Sequence, residues 1–242
     1  MNGIPAITKN LLAINVLMYL ALLAAGKMGI DLNDVLGLHF FLSEDFRLYQ
    51  LVTYMFMHGD LSHIFFNMFA LYMFGRTLET VWGGKRFLIY YLVAGIGAAL
   101  IQEAVAAVRY YSLVSEIDPV GVAAVLESGL EALKHGKNFV NPVLGELNIV
   151  LNSTTVGASG AIYAILLGFG MLFPNERIFI FPLPMPIKAK YFVMGYAVIE
   201  LVLGVSGSAD GVAHFAHLGG MLFGLVLILH WRKKGEIHGP YV

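Results

Sequence analysis

The chain has 242 residues, 58% of them hydrophobic and only 13% charged, with a mean hydropathy of +0.75; so little charge cannot cover the surface of a water-soluble domain of this length. A formal net charge of −1 gives no basis for nucleic-acid binding, and the absence of cysteine excludes disulfides, thiolate metal sites and a cysteine nucleophile. The composition predicts an all-α polytopic membrane protein, a compact bundle of six transmembrane helices with interfacial external loops, built as a single domain over residues 1–242.

The predicted spans, each long enough to cross about 30 Å of hydrocarbon, lie at about 11–28, 52–75, 87–107, 157–173, 191–206 and 214–231. The opening "MNGIPAITKNLLAINVLMYLALLAAG" places a lysine before an apolar run ending in small residues, as a signal peptide does. The run is longer than a signal core and is interrupted by Asn15, so it reads as a retained first helix. Residues 29–51 are too polar to span but rich in aromatics, which predicts a segment lying at the interface. The second span begins with "HGDLSHIFFNMF", carrying His58, His63 and Asn67.

After the third span, residues at about 108–156 form an external insertion, long for a connection in a compact domain. Asp118-Pro119 is a helix start, with aspartate as N-cap and proline at the first helical position. Val122, Val125, Leu126, Leu130 and Leu133 then form an apolar stripe, and Gly136 is a C-cap, which predicts an amphipathic surface helix. The fourth span opens on "GASGAIYAILLGFG", the fifth contains the lone acid Glu200, and the sixth opens on "AHFAHLGGMLFG". Glu200 reads as a buried hydrogen-bonding group, and Glu79 as a tie at the cytoplasmic turn after span two.

Lysine and arginine set the orientation. Lys9, Arg76, Lys85, Arg86, Arg177, Lys188, Lys190, Arg232, Lys233 and Lys234 fall on one side, against Lys27, Arg47, Arg109, Lys134 and Lys137 on the other. Both termini are therefore expected in the cytoplasm, with spans two, four and six running from outside to inside.

Three polar clusters then fall at similar shallow depth below the outer face. His63 and Asn67 share a helical face, Ser159 has Tyr163 one turn deeper, and His214 and His217 open span six. Polar groups inside spans face the bundle or a wet cavity and are functional candidates by default. Gly160, Ala164 and Gly168 form one ladder of small residues, and Ala216, Gly220 and Gly224 another; if the ladders face each other, the serine and a histidine meet. A serine with a histidine base attacks an amide, and the oxyanion so formed needs donors, which the Asn67 amide, a His63 N–H and backbone N–H groups beside Gly157 and Gly160 supply. No acidic residue is expected beside the base, so the ring of Tyr163 is expected to hold His217 by stacking, in a dyad rather than a triad.

These residues resemble a known family. "GASG" (157–160) is similar to the GxSG around the nucleophile of rhomboid intramembrane serine proteases, "AHLGGMLFG" (216–224) to their AHxxGxxxG, "HGDLSHIFFN" (58–67) to the pattern on their second helix, and "GRTLE" (75–79) to the turn at that helix's inner end. The resemblance implies Ser159 as nucleophile, His217 as general base, His63 and Asn67 as oxyanion donors and Tyr163 as the residue stacked on His217. It also implies transmembrane proteins as substrates, cleavage in or near their spans with small side chains at the cut, no cofactor and no metal. A bacterial cytoplasmic membrane is the expected location, with the site opening externally. Where many members carry Trp-Arg in the first external loop, this chain has Tyr49-Gln50.

Taken alone, Ser159 is a packing serine, and His58 is more a loop anchor than a reacting group. His214 is the rival base. A metal-dependent hydrolase would use His58, His63, His214 and His217 as ligands, but no HExxH is present. A transporter would show an inverted repeat, and none stands out. The remaining alternative is a non-catalytic rhomboid-like protein that binds membrane segments.

Overall fold

The computed structural model describes residues 3–179, 185–206 and 213–237. The outermost residues of both termini, which the charge pattern assigns to the inner side, lie outside the described residues. The chain folds as a helical membrane bundle. α1 (Ala6–Gly26) is followed by α2 (Leu32–Leu36), α3 (Gln50–Thr53) and a 3-10 turn (Tyr54–Phe56). α4 (Leu61–Ala70) runs through a π turn (Leu71–Gly75) into α5 (Arg76–Trp82), making one continuous rod. α6 (Gly84–Glu116), α7 (Pro119–Lys134), α8 (Pro142–Asn152) and α9 (Ser159–Leu172) come next. A short antiparallel pair, β1 (Arg177–Ile178) and β2 (Ile187–Lys188), precedes α10 (Ala189–Ser206), and α11 (His214–Lys233) ends the bundle.

Burial separates lipid-facing helices from the central one. α1, α6, α10 and α11 are each long and apolar enough to cross a membrane. α1 and α10 leave most of their apolar side chains outward, among them Leu17, Leu20, Val198 and Val202. Asn15, the polar break in α1, is turned inward and donates to Leu11 O at 2.8 Å. α9 is buried on nearly every side, with Ala161, Ile162, Ala164, Ile165, Gly168 and Leu172 inside, because α5, α6, α10 and α11 surround it. With 14 residues, α9 is about 21 Å long, well short of the roughly 30 Å hydrocarbon core. The non-helical residues before it are acceptable at membrane depth only where protein covers them. That cover comes from the first external loop, where Leu38 and Thr155 exchange backbone hydrogen bonds of 2.9 and 2.8 Å.

The two small-residue ladders do face each other. Gly220 has no room for a side chain, since a β-carbon there would overlap the carbonyl oxygen of Gly160. One at Gly224 would come within 2.8 Å of Ala164 Cβ. α9 and α11 are therefore in backbone contact along the rows that the spacing singled out.

The segment between α1 and α4 is anchored by Gln50, one of the two residues that stand where the resembled family has Trp-Arg. Gln50 is buried; its Oε1 accepts from His39 N (3.4 Å) and Arg47 N (3.0 Å), and its Nε2 donates to Val35 O (3.3 Å) and Asp45 O (3.0 Å). Tyr49 adds a bond from its hydroxyl to Val35 O at 3.1 Å. At the other end of the bundle, Glu79 takes Ile7 N, Thr8 N and Thr8 Oγ1 at 2.9, 2.7 and 2.7 Å. It thereby satisfies the open N–H groups that begin α1.

Residues 108–156 depart from expectation in three ways. α6 does not stop near residue 107 but continues to Glu116, and its 33 residues reach about 50 Å, beyond any bilayer core. α7 begins as expected, with Asp118 accepting from Gly121 N at 2.7 Å, but Leu126 points outward and is 65% exposed. Of the expected stripe Val125 is fully buried, with Gly129 beside it. α8 was not expected at all. Asn141 caps it by accepting from Val143 N and Leu144 N, and Pro142 opens it, repeating the Asp118-Pro119 arrangement. Phe40, Val125, Leu147, Val150 and Leu151 form a second, smaller core under these helices.

Candidate functional site

The site is assembled from the beginnings of three helices. Asp60 caps α4 by accepting from His63 N at 2.9 Å, which fixes His63 in the first turn and Asn67 one turn further in. Gly59 N donates to His63 Nδ1 at 3.4 Å, a long bond that places the imidazole proton on Nε2. That Nε2 points at Gly157. A β-carbon on Gly157 would lie 2.8 Å from His63 Nε2 and 3.5 Å from Ser159 Oγ, and the backbone there has φ +131°. Only glycine takes this conformation freely, and only glycine leaves the space open. Gly157 N donates to Tyr54 O at 2.9 Å, and Tyr54 in turn donates its hydroxyl to Gly95 O at 2.7 Å.

Ser159 begins α9. Ala158 precedes it in the cap position and no side chain caps the helix, so its first N–H groups lack side-chain acceptors. Ser159 Oγ lies 2.8 Å from His217 Nε2, although the residues are 58 positions apart in the chain. The His217 ring lies flat on Tyr163, with centroids 4.2 Å apart and planes 7° from parallel. Gly160, next to the serine, is buried, and its carbonyl is what meets Gly220.

The structure thus brings Ser159, His217, Tyr163, His63 and Gly157 together. Asn67 is buried on α4, and its amide nitrogen has no hydrogen-bond partner among the described residues, so a donor stands uncommitted there. His58 is not beside the serine. Its ring is buried edge-on to His63, with centroids 5.0 Å apart, and its backbone carbonyl accepts from Asn33 Nδ2 at 3.2 Å. His214, the rival base, turns away from Ser159 and sets Nδ1 2.7 Å from Glu200 Oε2.

Glu200 corrects the expectation that no acid accompanies the histidine. It is buried in the middle of α10, its Oε1 accepts from the Tyr163 hydroxyl, and its Oε2 is 3.0 Å from His217 Nδ1. The last contact is close but bent, and His217 Nδ1 has no aligned hydrogen-bond partner among the described residues. Its placement beside the imidazole was hidden in the sequence because the acid sits on span five, with no spacing relation to either histidine. The available signal was the acid itself, since a carboxylate at mid-span needs nearby donors.

The four histidines do not form one metal cluster among the described residues. Glu200, His214 and His217 bring three ligand atoms within 4.8 Å of one another, while His58 and His63 form a separate pair. A cation in the first group would take His217 through the nitrogen opposite the one that meets Ser159.

A family described as the rhomboid domain matches residues 45–234. Among curated relatives, the chain is 27% identical over 178 residues to "Rhomboid protein 1, mitochondrial" of Saccharomyces cerevisiae, covering 71% of this chain and 38% of that protein. It is 28% identical over 177 residues to "Rhomboid protease AarA" of Providencia stuartii, covering 72% of this chain and 52% of that protein. It is 31% identical over 104 residues to "Rhomboid protease GluP" of Bacillus subtilis, covering 41% of this chain and 20% of that protein. The chain spans about half or less of the length of these relatives.

Proposed function

The chain belongs to the rhomboid family, and from that premise we propose that it is an intramembrane serine endopeptidase, hydrolysing peptide bonds in or near the transmembrane segments of other membrane proteins. The observation that carries this reading is the 2.8 Å hydrogen bond between Ser159 Oγ and His217 Nε2, made between the first turns of α9 and α11. Two relatives named as rhomboid proteases support it.

The chemistry runs as follows. His217 Nε2 takes the Ser159 proton as Oγ attacks the carbonyl carbon of the substrate peptide bond. The carbonyl oxygen becomes an oxyanion, stabilised by the His63 Nε2–H, the uncommitted Asn67 amide and the uncapped N–H groups at the start of α9. When the tetrahedral adduct collapses, the C–N bond breaks and the imidazolium gives its proton to the leaving amine. A water molecule, deprotonated by His217, then cleaves the acyl ester, and the serine regains its proton. No cofactor enters these steps. The uneven lysine and arginine distribution orients both termini to the cytoplasm, with the site toward the outer face. The proposed location is a bacterial cytoplasmic membrane, although relatives from yeast and Arabidopsis are named as mitochondrial or chloroplastic. Residues 108–156 are proposed as an external insertion on this single domain.

The test is cleavage of a single-span substrate by the protein in liposomes, together with labelling by a fluorophosphonate and mapping of the adduct by mass spectrometry. The expected adduct is on Ser159. Cleavage retained by Ser159→Ala overturns the reading.

A further inference from the structure

We propose that Glu200 is a positioning residue for His217: its carboxylate keeps the imidazole proton on Nδ1, leaving the Nε2 lone pair facing Ser159, and steadies the imidazolium that forms when the serine is deprotonated. The inference rests on the proposed protease chemistry and adds to it a group that the dyad does not include.

An isolated acid at mid-span costs about 2.5–3.5 kcal/mol on insertion scales, so it persists where donors surround it. Glu200 is 5% exposed; two donors hydrogen-bond to it, and a third ring nitrogen lies close, all from two other helices. The Tyr163 hydroxyl from α9 meets Oε1, while His214 Nδ1 and His217 Nδ1 from α11 meet Oε2 at 2.7 and 3.0 Å. An ionised carboxylate only accepts hydrogen bonds, so the ring nitrogens facing it carry protons. For His217 this leaves Nε2 unprotonated, and Nε2 is the nitrogen 2.8 Å from Ser159 Oγ. The opposite tautomer would direct an N–H at the serine and could not take its proton.

The three contacts divide the work. The aligned bond to His214 and the bond from Tyr163 hold the carboxylate still. Tyr163 also stacks on His217 and so fixes the plane of the ring that Glu200 polarises. Because the contact from Glu200 to His217 is bent, its effect comes from charge and from acceptor identity rather than from a strong directional bond. Buried charges act over such distances far more strongly than charges in water do.

The decisive variant is Glu200→Gln, which keeps the volume and one oxygen but replaces the other oxygen with a donor and removes the charge. In the full chain reconstituted in liposomes, kcat is expected to fall on the order of 10²–10⁴-fold, the scale seen when a buried acid behind a catalytic histidine becomes an amide. KM should stay within about threefold, and any fall in the unfolding midpoint reports the buried donor left facing the new amide nitrogen. A kcat within about threefold of the unsubstituted protein overturns the proposal. A second measurement does not depend on the variant folding. Long-range 1H–15N correlation of the unsubstituted protein carrying 15N-histidine, with His217 assigned by comparison with His217→Asn, is expected to show the Nδ1-protonated tautomer. A proton on Nε2 overturns the proposal. Cleavage by Ser159→Ala would instead defeat the protease reading, and the tautomer would still decide the role of Glu200.

Discussion

Gly220 of α11 lies against the carbonyl of Gly160 of α9 so closely that no β-carbon fits between them. This contact sets the separation of the two helices one residue beyond Ser159 and three beyond His217. Gly220→Ala must push the helices apart, since the obstacle is backbone and cannot rotate away. Overpacking of this kind costs about 1–3 kcal/mol, and a displacement near 1 Å at reacting groups costs about a hundredfold in rate. The expected outcome is a lowered unfolding midpoint together with at least that loss of kcat, measured on the purified protein.

Ser159→Ala and His217→Ala are each expected to abolish cleavage with the helical fold intact by circular dichroism. In a soluble serine protease, losing either partner costs on the order of a million-fold in kcat, so a liposome assay with a single-span substrate has ample range. The double variant should be no worse than either single one, because the two groups act as a unit.

Removing an oxyanion donor should be milder. Asn67→Ala and His63→Ala are each expected to lower kcat by about a hundred- to a thousandfold. KM should be nearly constant, since the donors meet charge that develops only in the transition state. A large rise in KM with kcat preserved would place these residues in substrate binding instead.

Gln50→Ala tests the loop anchor. It strips partners from the backbone groups of His39, Asp45 and Arg47 that Gln50 now satisfies, while Val35 O keeps the Tyr49 hydroxyl. Unsatisfied buried groups cost about 1–3 kcal/mol each, so the unfolding midpoint should fall clearly. Any group that water reaches after the change will cost less, which sets the lower end of the expected shift.

Chelation separates serine chemistry from the metal-dependent alternative. Incubation with EDTA followed by dialysis is expected to leave cleavage unchanged. Loss of activity that zinc restores would assign the Glu200, His214 and His217 cluster to a metal.

Much of the architecture was legible because the bilayer simplifies the code. A helix in hydrocarbon must be apolar over its length, so the spans stood out as runs, and polar residues inside them stood out as exceptions. The facing ladders of Gly160 and Gly220 were legible for the same reason, since small residues at every fourth position have a use only in close packing. The external helices were less so. There, water satisfies what packing leaves open, and the Asn141-Pro142 start of α8 is as clear a local signal as Asp118-Pro119 but has no long apolar run behind it. Spacing marks a face of a helix without saying what lies opposite: of the expected stripe Val125 does meet α8, with Gly129 beside it, while Leu126 faces outward.

By itself the sequence determined that this is a polytopic helical membrane protein, and it marked Ser159, His217, His63, Asn67 and Tyr163 as the polar residues to watch. Periodicity and hydropathy are properties of neighbouring residues, and they carry that far. Only the tertiary structure decided that the expected pair of Ser159 and His217 comes within 2.8 Å and that Tyr163 lies flat on that ring, and it alone put Glu200 behind it. Those relations join residues 17, 54 and 58 positions apart, and what settles them is the rotation of each helix about its own axis, which packing against its neighbours imposes.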